Sequence, residues 1–352
     1  MAIGGHIRAQ SRHIEDMEPV ATVGRERGAR GRRAATTAAL LAATVTAALA
    51  AGCTSGGTPG DDGRGTSRQS EQDTSPSSAA TGPSVLAVKL DNAAAARPHT
   101  GVEAADVVYA EQVEGGLSRL MAVYATRLPK AVGPVRSARE SDLELLRQFD
   151  RPTLAFSGAQ KKLLPLIDKA PLRAKTPGDA PDAYFRGSGK PAPHNLYLRP
   201  ERLVPEIPGR AALTTGFRYG SAPAGGTPAT SQTVRYPAAR FTFTWSDSRD
   251  RWLVGMDGAP ATTADGKRMA AATVVVQYVK VRESDFHDFL GNNTPYTETV
   301  GSGKARVLRD GRAYDVRWKR EGASDGTAFT TGDGTPVNFA KGQVWVVYAK
   351  AS

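Results

Sequence analysis

Residues 240–245 read Arg240-Phe241-Thr242-Phe243-Thr244-Trp245, with an aromatic ring at every second position. A period of two puts the rings on one face of a strand and the polar side chains on the other. Downstream, Trp252-Leu253-Val254, residues 272–281, Ala305-Arg306-Val307-Leu308, residues 314–318 and residues 344–349 continue as short apolar runs. Asp257-Gly258, Asp265-Gly266, Asp310-Gly311 and Asp333-Gly334 lie between them and carry tight-turn chemistry. The expectation for residues 232–352 is a mostly antiparallel β domain.

Upstream, residues 221–231 are rich in Gly, Pro, Ser and Thr and read as a linker. Before it, the pattern differs. Val85-Leu86-Ala87-Val88, residues 105–109, Leu120-Met121-Ala122-Val123-Tyr124 and residues 153–156 read as strands. Residues 140–149 read as a helix, with Leu143, Leu146 and Phe149 on one face and Ser137 or Ser141 as its cap. A second helical run surrounds residues 161–169. Strands alternating with helical runs predict a mixed α/β domain over residues 84–220. The fold class expected for the whole is therefore α+β.

The chain has 352 residues, a formal charge of +11 and one cysteine, Cys53. An intramolecular disulfide and a multi-thiolate metal site are both excluded. Arg25, Arg27, Arg30, Arg32 and Arg33 precede an uncharged, Ala-rich run over residues 34–51 that ends at Gly52-Cys53. Residues 1–52 thus read as a secretory signal peptide. Leu49-Ala50-Ala51-Gly52-Cys53 resembles the lipobox of bacterial lipoproteins, in which the cysteine thiol takes a lipid. Ala50 stands where that signal usually has Leu. Glu15, Asp16 and Glu18 make Met17 an alternative start, and Arg32-Arg33 leaves twin-arginine export open beside the general secretory route. Residues 53–83 are almost without apolar side chains and read as a disordered tether. At about 5–6 Å times the square root of its length, it holds the folded part roughly 30 Å from a bilayer. The localisation expected is a lipid-anchored protein on the extracytoplasmic face of the cell membrane.

The densest polar sequence lies in the first domain. Asp91 and Asn92 follow the first expected strand, and Glu111 and Glu114 follow the second. Arg97, Arg119, Arg136, Ser137 and Arg139 lie around them, and His194-Asn195 comes later in a Pro-rich loop. In α/β sheets, strand ends and helix starts gather at one rim, where ligands bind. Arg136 and Arg139 at a helix start suit an anion, because guanidinium clamps carboxylate or phosphate with parallel hydrogen bonds. Glu111 and Glu114 could work as acid and base, or hold a divalent cation, the only cofactor the residues suggest. The plainer alternatives are a turn at Asp91-Asn92 and ion pairs of Arg97 or Arg119 with Asp106 or Glu114. His287 is expected in the other domain, which disfavours a three-histidine zinc site. No nucleophile elbow, phosphate loop or HExxH motif is present.

These runs resemble the YerB-like lipoproteins, a family known only as a domain of unknown function. The resemblance rests on Lys89-Leu90-Asp91-Asn92, Ala96-Arg97-Pro98, Ala105-Asp106-Val107-Val108-Tyr109, Val113-Glu114-Gly115-Gly116-Leu117-Ser118-Arg119, Gly133-Pro134-Val135-Arg136-Ser137-Ala138-Arg139 and His194-Asn195-Leu196-Tyr197. It runs from about Val85 to the end of the chain. His99 departs from the Gln more usual in the family. The resemblance implies a membrane-tethered two-domain protein and supplies no reaction.

Residues 1–52 carry seven Lys and Arg against four Asp and Glu, so about +8 remains beyond them. An exported, basic chain with an arginine-rich rim suits binding of an anionic envelope component such as peptidoglycan or a polyphosphate polymer. The alternative is a hydrolase or transferase acting on the same material through the same groove. A further reading gives the β-rich domain a scaffold role toward an envelope protein. The basic residues are spread along the chain without stacking aromatics, so no specific nucleic-acid partner is expected.

Overall fold

A computed structural model describes residues 83–288 and 291–352. The expected signal segment, Cys53 and the tether up to residue 82 lie outside these residues. Among the described residues no helix is long and apolar enough to cross a membrane.

Strand β1 (Leu86–Asp91), β2 (Val107–Gln112) and β3 (Ser118–Tyr124) form the centre of the N-terminal half. β3 runs antiparallel to both, so Leu120 sits opposite Leu90 on one side and Ala110 on the other. β4 (Thr153–Ala155) and β5 (Arg173–Lys175) add in parallel beyond β1. On its other edge β2 pairs in parallel with Val344–Lys350, which pairs in turn with Thr273–Val279. Gly301–Arg309, Arg312–Arg320 and Ala328–Thr330 follow as an antiparallel series. Both halves of the sequence therefore share one sheet, eleven-stranded among the described residues.

All six residues of β1 are buried, which requires cover on both faces of the sheet. Leu86, Val88, Leu90, Val108, Leu120, Ala122 and Trp345 point to one face. There they meet Phe241, Phe243, Trp252 and Val254 of a second, five-stranded sheet. That sheet contains Ala239–Ser246, where the period-two reading holds: Ala239, Phe241 and Phe243 are buried, and the residues between them are more exposed. Val85, Ala87, Val107, Tyr109 and Met121 point to the opposite face, against Leu145, Leu146, Phe149 and Ile167. Asp257-Gly258 and Asp310-Gly311 form two-residue hairpin turns with positive φ at both positions.

The described chain is mostly β, and the mixed α/β expectation for the N-terminal half holds only loosely. Its helices are α1 (Glu140–Leu146) and α2 (Leu164–Lys169), of seven and six residues. α1 stops short of the expected Phe149. Arg320 donates to the Glu144 carbonyl at 3.0 Å and Gln148 to the Leu145 carbonyl at 2.7 Å, so side chains take up the last free carbonyls. Neither expected serine caps its start. Asp142 instead reaches back to the Arg139 N–H at 2.7 Å. Residues 221–231 are tied into the structure. Thr227–Pro228 pairs with Arg312–Arg320, and Arg312 donates to the Gly225 and Gly226 carbonyls.

Candidate functional site

Strand alternation places Lys89 and Asp91 on the same face of β1 as Val85 and Ala87. Cross-strand pairing puts Arg119 between Asp91 and Glu111 on that face. One face is thus apolar at one end, beneath the helices, and charged at the other. Asp91 and Glu111 are strand residues, not residues that follow a strand, because β1 and β2 extend further than their apolar cores.

Lys89 is fully buried and bonds both Glu111 Oε1 and Asp142 Oδ1, the latter at 2.6 Å. Ser141 donates to Glu111 Oε2 at 2.8 Å. Burial pushes the Asp142 carboxyl up to about 6; Lys89 opposes this and Glu111 adds to it. The cluster fixes the start of α1 against the strand ends. Glu111, expected as a base or metal ligand, therefore has both oxygens committed inside the protein. Lys89 and Asp142 escaped the sequence reading. Lys89 was visible as a charge at an inward-facing position once β1 is continued to Asp91.

Glu114 opens a short 3-10 turn after β2. Arg139 clamps it with two hydrogen bonds, at 2.5 Å and 2.8 Å, and Thr294 adds a third at 2.6 Å. Burial alone would raise its carboxyl, but Arg139 and Thr294 outweigh that and hold it below the usual range. Glu114 and Glu111 thus serve different cations and do not converge as an acid–base or metal pair. Among the described residues, no group of three His, Cys, Asp or Glu side chains is placed to hold a metal ion.

Glu114, Arg119, Arg136, Ser137 and Arg139 line one cavity of about 470 Å³. Leu117, Leu163 and Phe286 supply an apolar wall. Asp91 sits behind the arginines: its Oδ2 lies 3.4 Å from Arg136 Nε and 2.8 Å from His194 Nδ1, and its Oδ1 accepts the Ala93 N–H at 3.1 Å. Burial raises the Asp91 carboxyl, but Ala93, His194, Arg136 and Arg119 together hold it low. Arg136 Nε is near enough to Asp91 for attraction but is buried without a hydrogen-bond partner. Arg119 has no carboxylate within 4.0 Å among the described residues; its one side-chain bond is a long 3.5 Å contact to the Ser137 carbonyl. Burial, reinforced by Arg139, pulls Arg119 down to about 10, with Glu114 and Asp91 opposing and Arg136 adding to the fall.

The other expected residues lie elsewhere. Asn92 is fixed between Ser118 and Arg97, and Arg97 pairs with Asp257 of the second sheet at 2.8 Å, not with Asp106 or Glu114. Asp106 instead accepts the Ala125 and Thr126 amides. Asn195 bonds Gly187 and Arg186 within a local hairpin. His99 is buried against the Asp91 carbonyl, and burial pulls it down to about 4, so it is neutral. His287, expected in the other domain, lines the arginine cavity beside Thr294. Val281–His287 and Asn293–Thr297 pair antiparallel, and the second of these strands returns to β2, a contact no local pattern announces.

This combination defines a mostly β protein in two sequence segments, with an arginine-walled cavity where the segments meet. The chain belongs to the family described as protein of unknown function DUF3048: its N-terminal domain matches residues 70–213 and its C-terminal domain matches residues 232–346. The Bacillus subtilis (strain 168) protein named "Putative lipoprotein YerB" is 24% identical over 281 residues, covering 74% of this chain and 80% of that protein. The crystal structure of the YerB protein from Bacillus subtilis has the same fold, with a TM-score of 0.62 at 20% identity over 76% of this chain and 91% of that one.

Proposed function

We propose that this chain is a lipid-anchored binding protein on the extracytoplasmic face of the membrane, and that its arginine cavity takes an anionic group of an envelope component. The observation that carries this is the incomplete pairing of Arg119 and Arg136 in a cavity of about 470 Å³, within the range of small-ligand sites. Buried donors left without acceptors cost free energy, and a carboxylate or phosphate would satisfy them. The anchor rests on Cys53 in its lipobox-like setting and on the name of the Bacillus subtilis relative. The enzymatic alternative needs Glu111 or Glu114 as a base, and both are bound to cations of the protein.

The test is retention of the full chain on purified peptidoglycan and on a polyphosphate polymer. One charge-assisted hydrogen bond contributes about 1.5–3 kcal/mol, so Arg136→Gln should weaken retention by about tenfold or more. Equal retention of wild type and variant, or no retention on either material, refutes the reading.

A further inference from the structure

Two buried polar side-chain atoms without partners flank the arginine cavity, and they are opposite in charge: Arg136 Nε and Glu140 Oε2. Glu140 is the first residue of α1, and among the described residues no cation lies within 4.0 Å of it. The remaining acids on the cavity wall are engaged. Glu114 is held by Arg139, and Asp288 accepts the Asn292 backbone and side-chain amides at 2.9 Å each. Glu140 lines both the arginine cavity and a neighbouring hollow of about 400 Å³. Leu117, 45% exposed, and Phe286 are apolar residues of the same cavity wall.

We infer that the cavity takes a zwitterion, its anionic group on Arg119 and Arg136 and a protonated amine on Glu140. This deepens the anion-binding reading and rests on it. An arrangement for a plain anion would gain nothing from an unpaired carboxylate in the cavity wall, whose field repels the ligand. An ammonium a few ångströms from the anionic group turns that repulsion into an ion pair. Burial holds the Glu140 carboxyl above its usual range; Arg282 opposes this, and Asp285 and Glu144 add to it. A bound cation would add to the opposition that Arg282 alone provides. Two chemistries carry such a charge pair: a short peptide with both ends free, and an aminoalkyl phosphate.

Matched probes separate them. The full chain is titrated calorimetrically near pH 7.5 with methyl phosphate against ethanolamine phosphate, and with acetyl-alanyl-alanine against alanyl-alanine. The zwitterion of at least one pair should bind about tenfold more tightly than its amine-blocked partner, the pair that does so naming the source. Glu140→Gln should abolish that advantage, with the anion-only probe bound as tightly as before or more tightly. Equal affinity within both pairs overturns the inference and leaves anion binding standing. Binding of none of the four probes overturns both. The wild-type comparison decides the ligand class before any variant is made.

Discussion

Asp142→Asn isolates the buried cluster with minimal change of shape. In the wild type the carboxyl sits at about 6 in the folded chain, against 3.8 for an unperturbed aspartate. A group whose folded pKa is raised binds more protons in the folded state than in the unfolded state. Its stabilising contribution is therefore full below about pH 4 and is lost as pH rises through 6. About two pK units correspond to on the order of 3 kcal/mol. The asparagine cannot titrate, so the stability difference, variant minus wild type, should move in favour of the variant by that amount between pH 4 and pH 8. A constant offset also applies, because the amide presents a donor either to Lys89 or to the Arg139 N–H. Urea unfolding followed by tryptophan emission suits the measurement, since Trp252 and Trp345 are fully buried. Titrating groups outside the Lys89–Glu111–Asp142 cluster cancel in the difference. A difference that stays flat with pH, or moves against the variant, would falsify the account of the cluster.

Further outcomes follow from the same structure. Lys89→Met leaves Glu111 and Asp142 without their shared cation and should cost about 3–5 kcal/mol in urea unfolding at pH 8; a loss below about 1 kcal/mol contradicts the pairing. His99 behaves oppositely to Asp142: its folded pKa is depressed from 6.5 to about 4, so its contribution is lost as pH falls through that window. His99→Gln should therefore gain on the order of 3 kcal/mol at pH 4 relative to pH 7, read from the same denaturation series. Gly116→Ala meets Pro237 Cβ at 2.5 Å from a residue with φ of +71°, whereas Gly115 has φ of +65° with open space around it. Gly115→Ala should cost about 1 kcal/mol and Gly116→Ala well over 2, and equal thermal shifts would show that the packing on Pro237 is not limiting.

The β-rich C-terminal half was legible because its signal is local. Alternation over residues 240–245 and the Asp-Gly turns depend on neighbours in sequence. The N-terminal half misled because its strands are buried on both faces, so they carry no alternation, and charged residues at their ends look like loops. Lys89, Asp91 and Glu111 all fall in strands for that reason. Arg119, Arg136 and Arg139 could be picked out as a group because β3 and the approach to α1 lie close in sequence. Arg97 looked like a site residue because its partner, Asp257, is 160 residues away in sequence, whereas the partner of Asn195, Gly187, lies in the same short hairpin. Thr294 and His287 reach the cavity only through a hairpin some 180 residues from Glu114 in sequence.

The parallel pairing of β2 with Val344–Lys350 has an evolutionary consequence. Two segments that each match their own family domain would ordinarily be free to recombine with other partners. Here the strand that closes the first segment's open edge is contributed by the second, and Trp345 and Val347 fill the first segment's core. A chain that inherited either segment alone would carry a long unpaired apolar edge, an invitation to aggregate. The two segments are therefore expected to be inherited together and in this order, as one heritable unit.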